Sequence, residues 1–263
     1  MGGKIKIGAL VSGGGSNLQA IIDACETGRI HGEMSFVGAD SPTAGGLLRA
    51  KKHGIPTFIV NYAEIINKYK DHPREFQPPD DFKLKETLHR QSLFDGGHDL
   101  HKIQAFLITR AAAESFILRR MKAFPFDLLV LAGFMRKLSP YLIDRIDKDP
   151  LRPRIMNIHP ALLPAFPGTD GYGDTLRHGC KVGGCTVHFV DYGEDSGPII
   201  GQRAFAIEPD DTLDTVKAKG LRHEWELYPA CIQLYAQNRL KVVEASFSGH
   251  GGGTIKRRVV KIK

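Results

Sequence analysis

Three observations predict an α/β fold with a mostly parallel, twisted sheet and helices on both faces. Over the first 60 residues, short apolar runs alternate with stretches of helical period, the rhythm of β-α-β crossovers. A glycine-rich junction, Ser12-Gly13-Gly14-Gly15-Ser16-Asn17, follows the first apolar run and leads into the first helical stretch. Asp127-Leu128-Leu129-Val130-Leu131-Ala132 is too apolar to expose either face, so it belongs at the centre of the sheet. Together they describe a Rossmann-like arrangement.

The elements follow in order. Ile5–Val11 is a buried strand, and Leu18, Ile21, Ile22 and Cys25 then fall at i, i+3, i+4 and i+7 on one face of a helix. Residues 34–39 make a second strand, 43–53 a second helix and 56–60 a third strand. The rhythm breaks over residues 62–108, which are polar and carry Pro73, Pro78, Pro79 and Gly96-Gly97. This segment reads as a solvated surface insertion with one or two short helices, 82–89 a candidate; a lid or an oligomer contact is the alternative. Thr109 is expected to cap a helix bearing Ala113, Phe116, Ile117 and Met121 at helical spacing. Residues 154–158 are a strand, 185–190 and 198–207 are two more, and a long amphipathic helix from about Thr212 should be interrupted near Pro229. The stretches 239–244 and 258–263 read as a C-terminal β-hairpin across the turn 248–253.

Composition narrows the function classes. The chain of 263 residues is 42% hydrophobic, enough to bury a full core. The formal net charge of +7 invites a nucleic-acid reading until it is located. Lys256, Arg257, Arg258, Lys261 and Lys263 carry most of it, within the predicted hairpin, and the rest of the chain is close to neutral. Neither nucleic acid nor membrane is expected as a partner. No run of about eighteen apolar residues is present, and the start lacks the apolar stretch of a signal peptide, so a cytoplasmic protein is expected. Cys25, Cys180, Cys185 and Cys231 are too few and scattered for a disulfide framework. Cys180 and Cys185 lack two further ligands at metal-binding spacing, so no metal site is expected.

Four places are suited to chemistry. The glycines of 12–17 let backbone N–H groups approach an anion at a helix N-terminus, a phosphate cradle by composition and position. No Gly-Lys-Ser/Thr follows, and Leu18 stands where a dinucleotide fingerprint needs its third glycine. Asp40, at the end of the second strand, is where a ribose-binding acid would lie, which keeps a dinucleotide-binding module as one alternative. Asn157 and His159 are two apart in an extended run, so they project to the same face at a strand end. An amide that donates to an oxyanion beside an imidazole that moves protons suits acyl chemistry, although a histidine before proline is often structural. The prolines of 160–168 stiffen the following loop and are suited to a cis peptide. Asp195 lies in a turn between two apolar strands; near His159 it would orient the imidazole and raise its pKa. Glu224 falls inside the apolar stripe of the last long helix and needs a partner, either a structural Lys or Arg or the amine of a ligand.

Taken together, these segments resemble the glycinamide ribonucleotide formyltransferase family, the folate-dependent enzymes of purine synthesis. The matching runs are Val11-Ser12-Gly13-Gly14-Gly15-Ser16-Asn17-Leu18-Gln19-Ala20-Ile21-Ile22 and Val130-Leu131-Ala132-Gly133-Phe134-Met135-Arg136. Asn157-Ile158-His159-Pro160-Ala161-Leu162-Leu163-Pro164 and Val187-His188-Phe189-Val190 follow, then Asp195 and Gly197-Pro198. The resemblance implies the formyltransferase fold, a small-molecule transferase, and 10-formyltetrahydrofolate as co-substrate. It implies that Asn157, His159 and Asp195 are catalytic and that Gly15, Ser16 and Asn17 hold the substrate phosphate. Glu224 would face the substrate amine, and Arg110, Met135, Arg136, Lys137 and Leu138, with Asn157, would line the folate cleft. Its departures are Ala165, where the family often has a basic residue, and 169–173, where the family's histidines are replaced.

One domain over 1–263 is expected. It comprises a phosphate-binding half of about 1–126 including the insertion of about 62–108, a catalytic and folate half of about 127–238, and a hairpin of about 239–263. A homodimer stays open. The rival within the same chemistry is a formyltetrahydrofolate deformylase, which uses water as acceptor, has no need of a phosphate cradle and would be expected to carry a regulatory domain ahead of the first strand.

Overall fold

Alternation along the first strand decides where everything else goes. In β1 (Ile5–Val11), Ile7, Ala9 and Val11 face one apolar layer and Leu10 the other. The structure is a computed structural model and describes residues 3–94, 97–249 and 251–263. After β1 come α1 (Ser16–Glu26), β2 (Gly32–Ala39), α2 (Gly46–Lys52) and β3 (Thr57–Ile59). Next are α3 (Tyr62–Asp71), α4 (Leu84–Arg90), α5 (Leu100–Met121), β4 (Leu128–Leu131), α6 (Pro140–Ile146) and β5 (Ile155–His159). The chain ends with α7 (Gly171–Arg177), β6 (Val182–Phe189), β7 (Ile199–Ala206), α8 (Leu213–Ala236), β8 (Leu240–Ser248) and β9 (Thr254–Ile262).

Seven strands form one sheet in the order β3-β2-β1-β4-β5-β6-β7, parallel from β3 to β5 and antiparallel at β6 and β7. β4 is the central strand, as its apolar sequence predicts. All four of its residues are buried, Leu128 and Val130 toward one layer, Leu129 and Leu131 toward the other. Each such side chain contributes roughly 1.5–3 kcal/mol on burial, so this short strand is held by its faces rather than by its length. Helices α1, α2 and α8 cover the first face, and α3, α5 and α6 the second. The chain runs outward from β1 to β2 and β3, then crosses back to place β4 on the other side of β1. That reversal opens a crevice at the carboxyl ends of β1 and β4, where open α/β sheets bind ligands.

The outlying elements depart from the sequence reading in instructive ways. Thr109 is not a cap: α5 starts at Leu100, capped by the Asp99 side chain, which accepts from the backbone N–H of His101 at 2.8 Å. The Thr109 hydroxyl instead donates back to the Ala105 carbonyl at 2.9 Å, a bond that lets threonine sit inside a helix. Ala113, Ile117 and Met121 face the core, but Phe116 is 45% exposed. The insertion is helical in part: the candidate near 82–89 appears as α4, and α3 is a second helix, whose position was not specified. Most of 63–102 is exposed, yet Tyr62, Ile103 and Leu107 are buried, so the segment is anchored at both ends. Helix α8 runs through Pro229 without a break, because Leu227, Tyr228, Cys231 and Ile232 on either side of it are packed into the core. The hairpin forms as β8 and β9, with Leu240 opposite Ile262 and Glu244 opposite Arg258. Its turn includes His250, and the insertion includes Asp95 and Gly96, which lie outside the described residues.

Candidate active site

The glycine-rich junction makes the tight turn expected of it. Gly15 adopts φ +73°, and a side chain there would bring its Cβ within 2.7 Å of the Gly46 Cα. Gly15 is also the N-cap of α1 and provides no side-chain cap, so no side chain takes up the first-turn N–H groups of this helix. Arg49 braces the loop from α2, donating to the Gly14 carbonyl at 2.7 Å. Ser12 ties it to the loop after β4, accepting from the Met135 N–H at 2.8 Å and donating its own N–H to the Gly133 carbonyl.

At the end of β5, Asn157 and His159 share a face and reach one cleft of about 380 Å³, which Asn17, Tyr172, His188, Asp195 and Glu224 also line. His159 is almost fully buried. Its Nδ1 lies 3.2 Å from Asp195 Oδ2 and its Nε2 2.8 Å from the Phe166 carbonyl oxygen. Both ring nitrogens therefore face acceptors. Asp195 sits in the left-handed region at φ +51°, which aspartate tolerates in turns, and its Oδ2 accepts the Gly168 N–H at 2.9 Å. Burial pushes this carboxyl up, but the His188 and His159 rings and the Gly168 N–H outweigh it and hold it below the ordinary aspartate value.

Asn157 Nδ2 lies 3.2 Å from His188 Nε2 and 3.5 Å from Asp195 Oδ1. His188 Nδ1 donates to the Phe189 carbonyl, and its Nε2 faces both the Asn157 amide and Asp195 Oδ1, the latter at 3.6 Å. The sequence reading gave His188 no role. It reaches Asn157 because β5 and β6 pair antiparallel with Asn157 opposite His188, a register that spacing alone does not reveal.

Glu224 is buried in α8 as its place in the apolar stripe requires, and its two oxygens are held from two sides. Tyr172 Oη donates to Oε1 at 2.6 Å and Asn17 Nδ2 to Oε2 at 2.6 Å. The partner the sequence reading sought is thus neither Lys nor Arg but two neutral donors. Asn17 Oδ1, on the same amide, is buried with no partner among the described residues.

The loop after β4 forms the opposite wall. Met135 is 58% exposed at the cleft, Leu138 is buried, and Lys137 Nζ donates to Glu194 Oε2 at 2.5 Å, joining this loop to the turn that bears Asp195. Arg136 pairs with Asp40, which removes the free ribose-binding acid that a dinucleotide site would use. Arg110 does not line the cleft. It stacks on Phe106 and on Tyr62, whose ring also lies 5.3 Å from the Arg136 guanidinium, so Arg110 stands behind Arg136. Gly15 and Ser16 also lie off the cleft, Ser16 in another hollow with Arg49, Arg222 and Trp225, while Asn17, next in sequence, lines the cleft itself. Three hollows are larger than this cleft, the one that holds Ser16 at about 570 Å³ and two of about 840 and 910 Å³ against α5 and against the hairpin, and none of them holds Asn157, His159 or Asp195. Among the described residues no group of three or more His, Cys, Asp and Glu is arranged to hold a metal ion.

A doubly wound sheet with an amide, an imidazole and a carboxylate at the ends of its strands defines a group-transfer enzyme of the acyl-transfer kind. The chain belongs to the formyl transferase family, whose model matches residues 5–232. It is 31% identical over 230 residues to phosphoribosylglycinamide formyltransferase of Bacillus subtilis, covering 87% of this chain and 93% of that protein. It is 32% identical over 240 residues to phosphoribosylglycinamide formyltransferase of Escherichia coli, covering 91% of each. The crystal structure of glycinamide ribonucleotide transformylase 1 from Symbiobacterium toebii superposes with a TM-score of 0.73 at 34% identity, covering 100% of this chain and 95% of that one.

Proposed function

We propose that this protein transfers the formyl group of 10-formyltetrahydrofolate to the amine of glycinamide ribonucleotide, giving formylglycinamide ribonucleotide and tetrahydrofolate in de novo purine biosynthesis. The observation that carries this reading is the convergence of Asn157, His159, Asp195 and Glu224 on one cleft, reached through Asn17 from the glycine loop.

The chain supplies a place for each part of the reactants. The uncapped N-terminus of α1, with the N–H groups of Gly15, Ser16 and Asn17, suits the substrate phosphate. Glu224 suits the amine: among the described residues it forms no ion pair, and each oxygen keeps lone pairs beyond the bonds from Tyr172 and Asn17. The wall of Leu131, Met135, Leu138, Ile158 and Val190 suits a flat, largely apolar ring system, and Arg136 and Lys137 lie at its edge. Arg110 backs that wall through Tyr62 and Arg136. When bound, 10-formyltetrahydrofolate supplies the formyl carbon that the amine attacks.

As the tetrahedral centre forms, charge develops on the formyl oxygen. The Asn157 amide, whose second N–H meets Asp195 Oδ1 only at the long distance of 3.5 Å, turns that N–H to the formyl oxygen. His159, held between Asp195 and the Phe166 carbonyl, in its protonated form places positive charge beside it, gives a proton to the leaving nitrogen and regains one from the amine that has attacked. Asp195 keeps the ring oriented through this cycle.

The decisive experiment follows tetrahydrofolate release with and without glycinamide ribonucleotide. Release that depends on the ribonucleotide is expected. Equal release in its absence would instead establish the hydrolase. Saturable binding of a nicotinamide dinucleotide would revive the third reading.

A further inference from the structure

Within the loop that departs from the family pattern, one side chain reaches the buried carboxylate. Tyr172, the second residue of α7, is 5% exposed, and its hydroxyl donates to Glu224 Oε1 at 2.6 Å. The ring arrives there across Gly220, one helical turn before Glu224 on α8. A methyl group at position 220 would overlap the Tyr172 ring. Glycine is unfavourable in a helix interior, so its presence here answers a need for close approach rather than for helix stability. Tyr172 also remains a donor: burial and the Glu224 charge push its hydroxyl far above the usual tyrosine value.

We propose that Tyr172 is a positioning residue that, with Asn17 on the opposite side, fixes the Glu224 carboxylate for the substrate amine, and that Gly220 is small in order to admit its ring. This rests on the reading of Glu224 given above. Each oxygen of Glu224 has one neutral donor on a different element, Tyr172 on α7 and Asn17 on α1. The carboxylate is thereby held in place without being neutralised, which keeps its full charge for an incoming N–H donor. Asn17 belongs to the glycine loop, so the same carboxylate also registers the phosphate end of the substrate against the amine end.

The test uses the full chain with Tyr172→Phe, Glu224→Ala and the double variant. Tyr172→Phe deletes one hydrogen bond and keeps the ring that packs on Gly220. It is expected to lower kcat/KM for glycinamide ribonucleotide about tenfold, the worth of one bond to a charged group, with KM for 10-formyltetrahydrofolate unchanged. Added to Glu224→Ala, it should cost nothing more. A Tyr172→Phe variant within twofold of the parent, while Glu224→Ala is strongly impaired, overturns this proposal alone. So does a second tenfold loss on top of Glu224→Ala. A parent enzyme that does not formylate the ribonucleotide, or a Glu224→Ala variant at full rate, overturns the reading of the site and this proposal with it.

Discussion

His159 is useful because its two nitrogens are occupied in different ways, one by a carboxylate and one by a backbone carbonyl. On the proposed mechanism, replacing it removes the charge beside the oxyanion and the proton carrier, but leaves the proposed folate wall of 134–138 intact. His159→Ala should therefore lower kcat by about 10²–10⁴, with folate binding still measurable by fluorescence titration. Full activity in that variant would sink the assignment. Asp195 adds a dependence on pH. Its carboxyl is held below the ordinary value in the folded state, so its contribution to stability is present above the unfolded value near 4 and is lost as pH falls through the lower folded one. Thermal melts of the parent and Asp195→Asn should differ most at neutral pH and converge below about pH 4. A gap that widens in acid would contradict the geometry. Of the site residues, Asn157 and His159 were legible from period 2 at a strand end, and Asp195 and Glu224 from their places in a turn and an apolar stripe. His188 and Tyr172 were not legible as site groups, since each joins the site through a register or a crossing that leaves no mark on neighbouring residues.

At the scale of elements, the loop after β4 is held from behind. Glu114 in α5 is fully buried and accepts from both the Ser139 N–H, at 2.7 Å, and its hydroxyl, at 2.5 Å, fixing the start of α6 where the loop ends. Burial raises its carboxyl to about 7 despite the Ser139 bonds and the nearby Arg110 charge. A carboxyl whose folded value is raised binds more protons folded than unfolded between about pH 4.5 and 7, so it lowers stability as pH rises through that window. The penalty above it is on the order of 3 kcal/mol. Glu114→Gln keeps the shape and removes the charge, so its melting temperature relative to the parent should rise from pH 4.5 to pH 8. A difference independent of pH would show that Glu114 is not titrating there. The same helix shows where element boundaries misled: Thr109 has the sequence appearance of a cap, but its hydroxyl is equally satisfied by a carbonyl one turn back.

At the scale of the molecule, β1 pairs with β4 and β4 with β5, so the glycine loop and the strand that bears Asn157 and His159 are built on one continuous sheet. We therefore propose a single cooperative domain over residues 1–263, its two halves and its hairpin folding together. Calorimetry should record one transition; two separate ones would contradict this. The hairpin is joined through Val242, buried beside the half-buried Leu240 and Val260 against the layer shared by α1 and α8, and through the Arg258–Asp191 ion pair. Val242→Ala should cost about 2 kcal/mol of stability by denaturant melt while leaving kcat/KM unchanged. Lost activity in a folded variant would mean that the hairpin contributes to the site. No helix among the described residues is long and apolar enough to cross a membrane.

What the amino-acid order determined by itself is local. The strand and helix periods, the tight glycine turn, the shared face of Asn157 and His159 and the pairing of the terminal hairpin all depend on residues a few positions apart, or on strands joined by one turn. What only the tertiary structure decided is which distant groups meet. The placing of β4 beside β1, the antiparallel return that sets His188 against Asn157, the retreat of Arg110 behind Tyr62 and the 207-residue span from Asn17 to Glu224 are such cases. Those choices follow from the packing of both sheet faces at once. That total is shared among many side chains, and no single segment of sequence contains it.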